Sequence, residues 1–252
     1  MKRRITAVLL AAGLIFTAAG CGGASPAEAG TAPAAAAQAQ AAEKQEDAAK
    51  QRDKDLAGVN VRGDTVIISD HHPWLFFCGN DGQPLETYQR TNLFSEEELS
   101  RIGENIHNLA DDLSSVGTKF VLFIPPMKEE VYPEWMPASI PVQANEGRSI
   151  QLKNYMREHY PDIPVVYPLE ELTAAKEQYP DMNLYYEGDC HWNEIGSHVG
   201  MEALLSEIGK MTGHPYEAHY KAFEETDVKI AGDLQTLVEL GDEYLSTTYR
   251  TG

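Results

Sequence analysis

The chain has 252 residues, with 20 Lys and Arg against 39 Asp and Glu, a formal charge of −19 and 42% hydrophobic residues. So acidic a surface repels phosphate backbones and anionic headgroups, which argues against nucleic acid or a charged lipid surface as a broad partner.

Lys2, Arg3 and Arg4 precede ITAVLLAAGLIFTAAG, an uncharged apolar run ending in small residues. This is the pattern of a secretory signal, too short for a lasting membrane span. Ala18-Ala19-Gly20-Cys21 resembles the lipobox of bacterial lipoproteins. The resemblance implies a signal peptide over 1–20 and a diacylglycerol on the Cys21 thiol, and several acyl chains hold a protein firmly at a membrane. An ordinary cleaved signal is the competing reading. Residues 21–58 are Ala-rich, with Leu56 as their one long aliphatic side chain, and read as a flexible tether whose Glu/Lys/Gln-rich part visits helix. Residues 59–252 then suit one domain. With Cys21 lipidated, Cys78 and Cys190 remain in a compartment where disulfides persist, and either a bridge or two free thiols fits.

DTVIIS (64–69) and WLFF (74–77) are short β-rich runs. A helix is predicted over 95–117, opened by a Ser95–Glu98 capping box and stopped by Gly117. Its apolar face holds Leu99, Ile102, Ile106, Leu109, Leu113 and Val116. KFVLFI (119–124) lacks polar alternation, which suggests a strand covered on both faces. A helix over 146–159, a buried strand over 163–168 and a short helix over 169–178 follow. A further helix over 193–211 places Met201, Leu204, Leu205 and Ile208 on one face. Strand–helix alternation predicts an α/β layered domain with a mainly parallel sheet. After it the chain shows one more short helical pattern and no internal repeat.

YYEGDCHWNEIGSH (185–198) stands just before that last long helix. In an extended segment or loop, side chains two apart point the same way, so Asp189 and His191 share a face and Cys190 points elsewhere. A carboxylate beside an imidazole fixes its tautomer and stabilises the imidazolium formed when it takes a proton. The helix start near Asn193 favours the neutral ring that a general base needs. Three readings compete: a structural pair closing a loop, a metal site using Asp189, Cys190, His191 and His198, and a catalytic dyad. The missing spaced Cys or His pairs weigh against metal, so the sequence implies neither metal nor cofactor.

Four segments agree in order with a known family. Pro73-Trp74-Leu75-Phe76 with Asp81-Gly82, FVLFIPPMKEEVYPEWMP (120–137), Asp189-Cys190-His191-Trp192 and Gly232-Asp233-Leu234 resemble the SGNH-hydrolase-like proteins related to alginate O-acetyltransferases and the bacterial DHHW family. The stretch covers about residues 62–240. The resemblance implies a flavodoxin-like three-layer fold and acyl-ester chemistry on polysaccharide hydroxyls. It makes Asp189 the orienting acid and His191 the base. Trp192 falls on a motif position suited to packing; with Tyr186 it is also a candidate for sugar contact.

In that family the dyad works with a Ser in a Gly-Asp-Ser segment, and this sequence contains none. Gly241-Asp242-Glu243 and Gly63-Asp64-Thr65 are near matches, and Ser69 and Ser246 are ordinary turn or surface serines by position. The expectation is therefore a domain incomplete at its C-terminal end, an envelope-anchored O-acetyltransferase or acetylesterase that is inactive as it stands. Its expected partners are extracellular polysaccharide, a membrane through the lipid anchor and a protein supplying an acyl donor. A non-catalytic glycan-binding lipoprotein is the alternative. A solute-capturing lipoprotein is disfavoured, because one short domain offers no two-lobed cleft.

Overall fold

Near the start of the computed structural model, which describes residues 47, 50–216, 219 and 221–252, residues 50–55 are helical. The expected signal peptide, Cys21 and most of the tether lie outside the described residues. Packing begins before the boundary expected at 58. Arg52 donates to the Asp64 carbonyl at 2.8 Å and to Asn80 Oδ1, and Leu56 and Val59 pack on the core. A leucine in a run of small and polar residues gains by covering the nearest apolar surface.

Strands β1 (Val61–Arg62), β2 (Val66–Ile68) and β3 (Leu75–Phe77) form an antiparallel sheet in that order. Ile67 pairs with Phe76 and both enter the main core. Val66 and Leu75 point to the other face, into a second cluster with Leu234 and Val238. That division follows from the two-residue period of a strand.

Helix α1 (Pro84–Gln89) precedes the long α2 (Glu96–Ser115). The capping box is present: Ser95 Oγ accepts from Glu98 N–H at 3.3 Å, and Glu98 Oε2 accepts from Ser95 N–H at 2.9 Å. Gly117, with φ +78°, follows the last turn. The predicted stripe is covered at Leu99, 5% exposed, but Leu109 and Val116 are 38% and 75% exposed.

Strand β4 (Leu122–Phe123) leads into the one-turn helix α3 (Lys128–Val131). After α4 (Arg148–His159) the chain returns as β5 (Val165–Val166), parallel to β4. Among the described residues this is the one parallel strand pair, so the mainly parallel sheet expected from the alternation is not what forms. The link from β2 to β3 is too short for a crossover, which takes a dozen or more residues, and only antiparallel pairing closes it. Residues of β4 and β5 are half-buried rather than enclosed on both faces.

Helices α5 (Leu169–Gln178) and α6 (Glu194–Thr212) match their predicted spans closely. The chain then forms a ribbon of β6 (Phe223–Ile230) and β7 (Ser246–Thr251), with α7 (Asp233–Leu237) between them. The sequence pattern did not reveal this ribbon. FEETDVKI buries little beyond Phe223, so no apolar alternation marks the strand.

Candidate active site

Leu184, Tyr185 and Ile195 are at most 2% exposed and anchor the segment that carries Asp189 and His191. Tyr185 and Trp192 form an antiparallel bridge, and Tyr186 N–H donates to the His191 carbonyl at 3.1 Å. Below them Asn193 caps α6, its Oδ1 accepting from Ile195 and Gly196 N–H at 2.9 and 3.2 Å. Residues 186–191 are thus a tight loop closed at its neck.

Within the loop, Asp189 Oδ1 accepts from His191 Nδ1 at 2.7 Å and from His191 main-chain N–H at 3.0 Å. Asp189 Oδ2 accepts the main-chain N–H of Asp233 at 2.8 Å. The dyad meets, but through a turn rather than strand alternation. That corrects the expected direction of Cys190, whose Sγ lies 3.6 Å from His191 Nδ1. With Nδ1 engaged by a carboxylate, the network assigns its proton there and leaves the Nε2 lone pair available. The His191 side chain is 66% exposed.

The 232–246 region backs the loop. Ser246 Oγ accepts from Gly188 N–H at 2.8 Å, and Gln235 N–H donates to the Gly188 carbonyl at 3.0 Å. The chains touch so closely that a Cβ on Gly232 would lie 2.2 Å from the Gly188 carbonyl oxygen. From the opposite side comes Lys128, 1% exposed. Its Nζ donates to the carbonyls of Leu75, Glu187, Tyr186 and Asp189 at 2.8, 2.8, 2.9 and 2.9 Å.

Burial pushes the Asp189 carboxyl up, but the N–H of Asp233 and the His191 donors outweigh it and hold the group below its ordinary 3.8. Burial, reinforced by Asp189, raises the Cys190 thiol to about 11. Burial also drives Lys128 down and its neighbour Glu129 up, while each charge opposes the other's shift.

The donor atoms of Asp189, Cys190 and His191 lie within 4.8 Å of one another, the spacing a metal ion would need. The chemistry fits a metal poorly, since the thiol is held protonated and both Asp189 oxygens are engaged. His198, the other residue weighed as a ligand, instead lies 3.8 Å from Glu202 and edge-on to Phe223.

Tyr186 donates its hydroxyl to Glu194 Oε1 at 2.9 Å. Trp192 is half-buried, its ring against Gly200 and 6.1 Å from that of Phe123, so much of it is wall. Both serines considered from the sequence are buried, with their hydroxyl oxygens hydrogen-bonded. Ser69 Oγ donates to the Trp135 carbonyl at 2.7 Å, and Ser246 is fully buried under Gly188. Residues 242–244 form a 3₁₀ turn. Cys78 and Cys190 are free thiols.

Sequence reasoning assigned no role to Lys128 or to the main chain of Asp233. Lys128 falls within the 120–137 segment that resembles the family, with no role attached to it there, and a main-chain donor leaves no mark in residue type.

The model of the SGNH hydrolase-like domain of the acetyltransferase AlgX matches residues 67–251. The probable alginate O-acetylase AlgJ of Pseudomonas syringae pv. tomato is 27% identical over 184 residues, which are 64% of this chain and 43% of that protein. The chain thus spans less than half the length of that relative. Among solved structures, the O-acetyltransferase domain of Pseudomonas putida AlgJ superposes with a TM-score of 0.50 at 19% identity, over 75% of this chain and 64% of that one. Bacillus cereus PatB1 gives 0.50 at 16% identity, over 75% and 58%. At those identities the two structures speak for the fold. The family model covers most of the chain, including every element around the dyad, and the chain therefore belongs to the family of SGNH hydrolase-like domains described for the acetyltransferase AlgX.

Proposed function

We propose that this chain is an envelope-anchored O-acetyltransferase or acetylesterase domain for extracellular polysaccharide, with Asp189 as orienting acid and His191 as base. One observation carries the reading: the 2.7 Å contact between Asp189 Oδ1 and His191 Nδ1, on a ring that is 66% exposed. A hydroxyl reaching Nε2 gives up its proton there as its oxygen attacks the acetyl carbonyl carbon. The Asp189 carboxylate stabilises the resulting imidazolium, which returns the proton to the departing oxygen.

The sequence holds no Gly-Asp-Ser, and Ser69 and Ser246 are engaged elsewhere. The described residues therefore supply no serine for a covalent acetyl-enzyme step, and on this reading the chain by itself turns over acetyl esters little or not at all. The Cys21 anchor and the Ala-rich segment would hold the domain at a membrane surface within reach of envelope glycan, where a second protein supplies the acyl donor. Tyr186 and the open edge of Trp192 would border the acceptor side. The packed face of Trp192 disfavours the purely glycan-binding alternative.

The test has two arms. The purified chain should hydrolyse p-nitrophenyl acetate no faster than its His191→Ala variant. Diethyl pyrocarbonate should acylate His191 Nε2 readily in the native chain and on the order of tenfold more slowly in Asp189→Asn. Robust hydrolysis untouched by His191→Ala, or an acylation rate indifferent to Asp189, would overturn the dyad.

A further inference from the structure

The Lys128 ammonium is a buried group near the dyad that the proposed chemistry leaves unused. It lies 4.3 Å from the ring centroid of Trp74 and 5.1 Å from that of Phe76, with four carbonyl oxygens on its remaining sides. Three of those carbonyls belong to residues 186, 187 and 189, more than fifty positions along the chain.

Only a charged ammonium suits such a nest. It has three N–H donors radiating from one point and no acceptor, so it serves the four carbonyls with one donor shared, whereas a neutral amine would supply two donors and turn a lone pair toward carbonyl oxygens. A guanidinium spreads its donors over a plane and does not converge four carbonyls on one atom. Burying a charge is costly, and an apolar side chain of similar volume often serves stability as well or better. The benefit must therefore lie in what the cation holds. What it holds is a short irregular loop: the Glu187 carbonyl also accepts the Leu75 N–H at 3.0 Å and the Tyr186 carbonyl the Asp189 N–H at 3.4 Å, and the ammonium ties both of them and the Asp189 carbonyl to one point.

We propose that Lys128 is the positioning residue of the dyad, fixing the main chain of residues 186–189 so that the Asp189 carboxylate meets both His191 and Asp233. The proposal rests on the reading of Asp189 and His191 as acid and base. Lys128 touches neither substrate nor His191 and acts through Asp189. With the Asp189 carbonyl held from below at 2.9 Å, its carboxylate is directed toward the Asp233 N–H on one oxygen and the His191 donors on the other. Freed of the ammonium, the loop would tilt, and the two-sided grip on the carboxylate would slip on at least one side.

The experiment reads the hydrogen-bonded His191 Nδ1–H by NMR in the intact chain, assigned with His191→Gln, alongside the acylation rate of Nε2. A downfield Nδ1–H signal is expected in the native protein and lost in Asp189→Asn. In Lys128→Met the signal should vanish and acylation slow on the order of tenfold, while amide resonances outside the residues beside position 128, residues 74–76 and residues 183–193 keep their positions. Lys128→Arg, which retains charge without the convergent geometry, should recover part of the signal. It also decides the matter if the methionine variant does not fold, since an undiminished signal in it overturns the proposal. If Asp189→Asn leaves signal and rate unchanged, the dyad reading itself falls. If Asp189→Asn abolishes them but a folded Lys128→Met keeps both, the positioning role alone falls.

Discussion

The carboxylate of Asp189 accepts the main-chain N–H of Asp233, 44 residues further along the chain, at 2.8 Å. This bond joins the dyad loop to the segment between β6 and β7, so the candidate site is a junction of two chain regions. Its other side is held by the Lys128 ammonium. The arrangement makes specific demands on residues that carry no chemistry themselves.

Gly232 is the most exacting of these. A Cβ there would sit 2.2 Å from the Gly188 carbonyl oxygen, and that oxygen is backbone with little freedom to move. Gly232→Ala should therefore lower unfolding free energy by about 1–3 kcal/mol, the usual range for overpacking. Denaturant titration measures the loss, and the His191 Nδ1–H signal should weaken with it.

Asp189 sets a pH dependence. Its donors depress the folded carboxyl below the ordinary 3.8. The stabilisation is therefore present above the unfolded value and lost as pH falls through the lower folded value. Unfolding free energy should decline on acidification below about pH 4, and Asp189→Asn should flatten that part of the curve. An unchanged acid limb in the variant would show that the hydrogen bonds of Asp189 contribute no stability.

Cys190 is exposed, yet its thiol is raised to about 11 by burial of the sulfur and the nearby Asp189. The thiolate is the reactive form, so iodoacetamide at pH 8 should label Cys190 more than tenfold more slowly than an ordinary free thiol. Cys190→Ser should leave the acylation rate of His191 within about twofold, since the thiol has no part in the proton transfer. A large drop would assign the sulfur a role beside the imidazole.

On the proposed anchoring, placement depends on Cys21. Cys21→Ser, expressed with the native leader, should move the protein from the membrane fraction to the soluble one, and an alkyne fatty acid should label only the native chain. Equal membrane retention of both forms would rule out the anchor.

Much of the site was legible locally. Asp189 and His191 stand two apart, and a contact within one turn depends on little beyond their own loop. Ser95 and Glu98, the Gly117 stop and the long helices follow from spacing and side-chain type, because their hydrogen bonds close within a few residues. The direction of Cys190 was misread because the alternation of an extended segment was carried over to a loop, where the bridge between Tyr185 and Trp192 closes a turn.

The amino-acid sequence by itself determined the family, the helices and the acid–imidazole pair, since each is written in residue type at short range. Only the tertiary structure decided that Lys128 is buried, which backbone amide completes the Asp189 carboxylate, and that Ser69 and Ser246 are structural. Those outcomes depend on groups 44 to 66 positions apart converging on one point. Burial and main-chain hydrogen bonding at that range are properties of the packed chain, and no local pattern of residues encodes them.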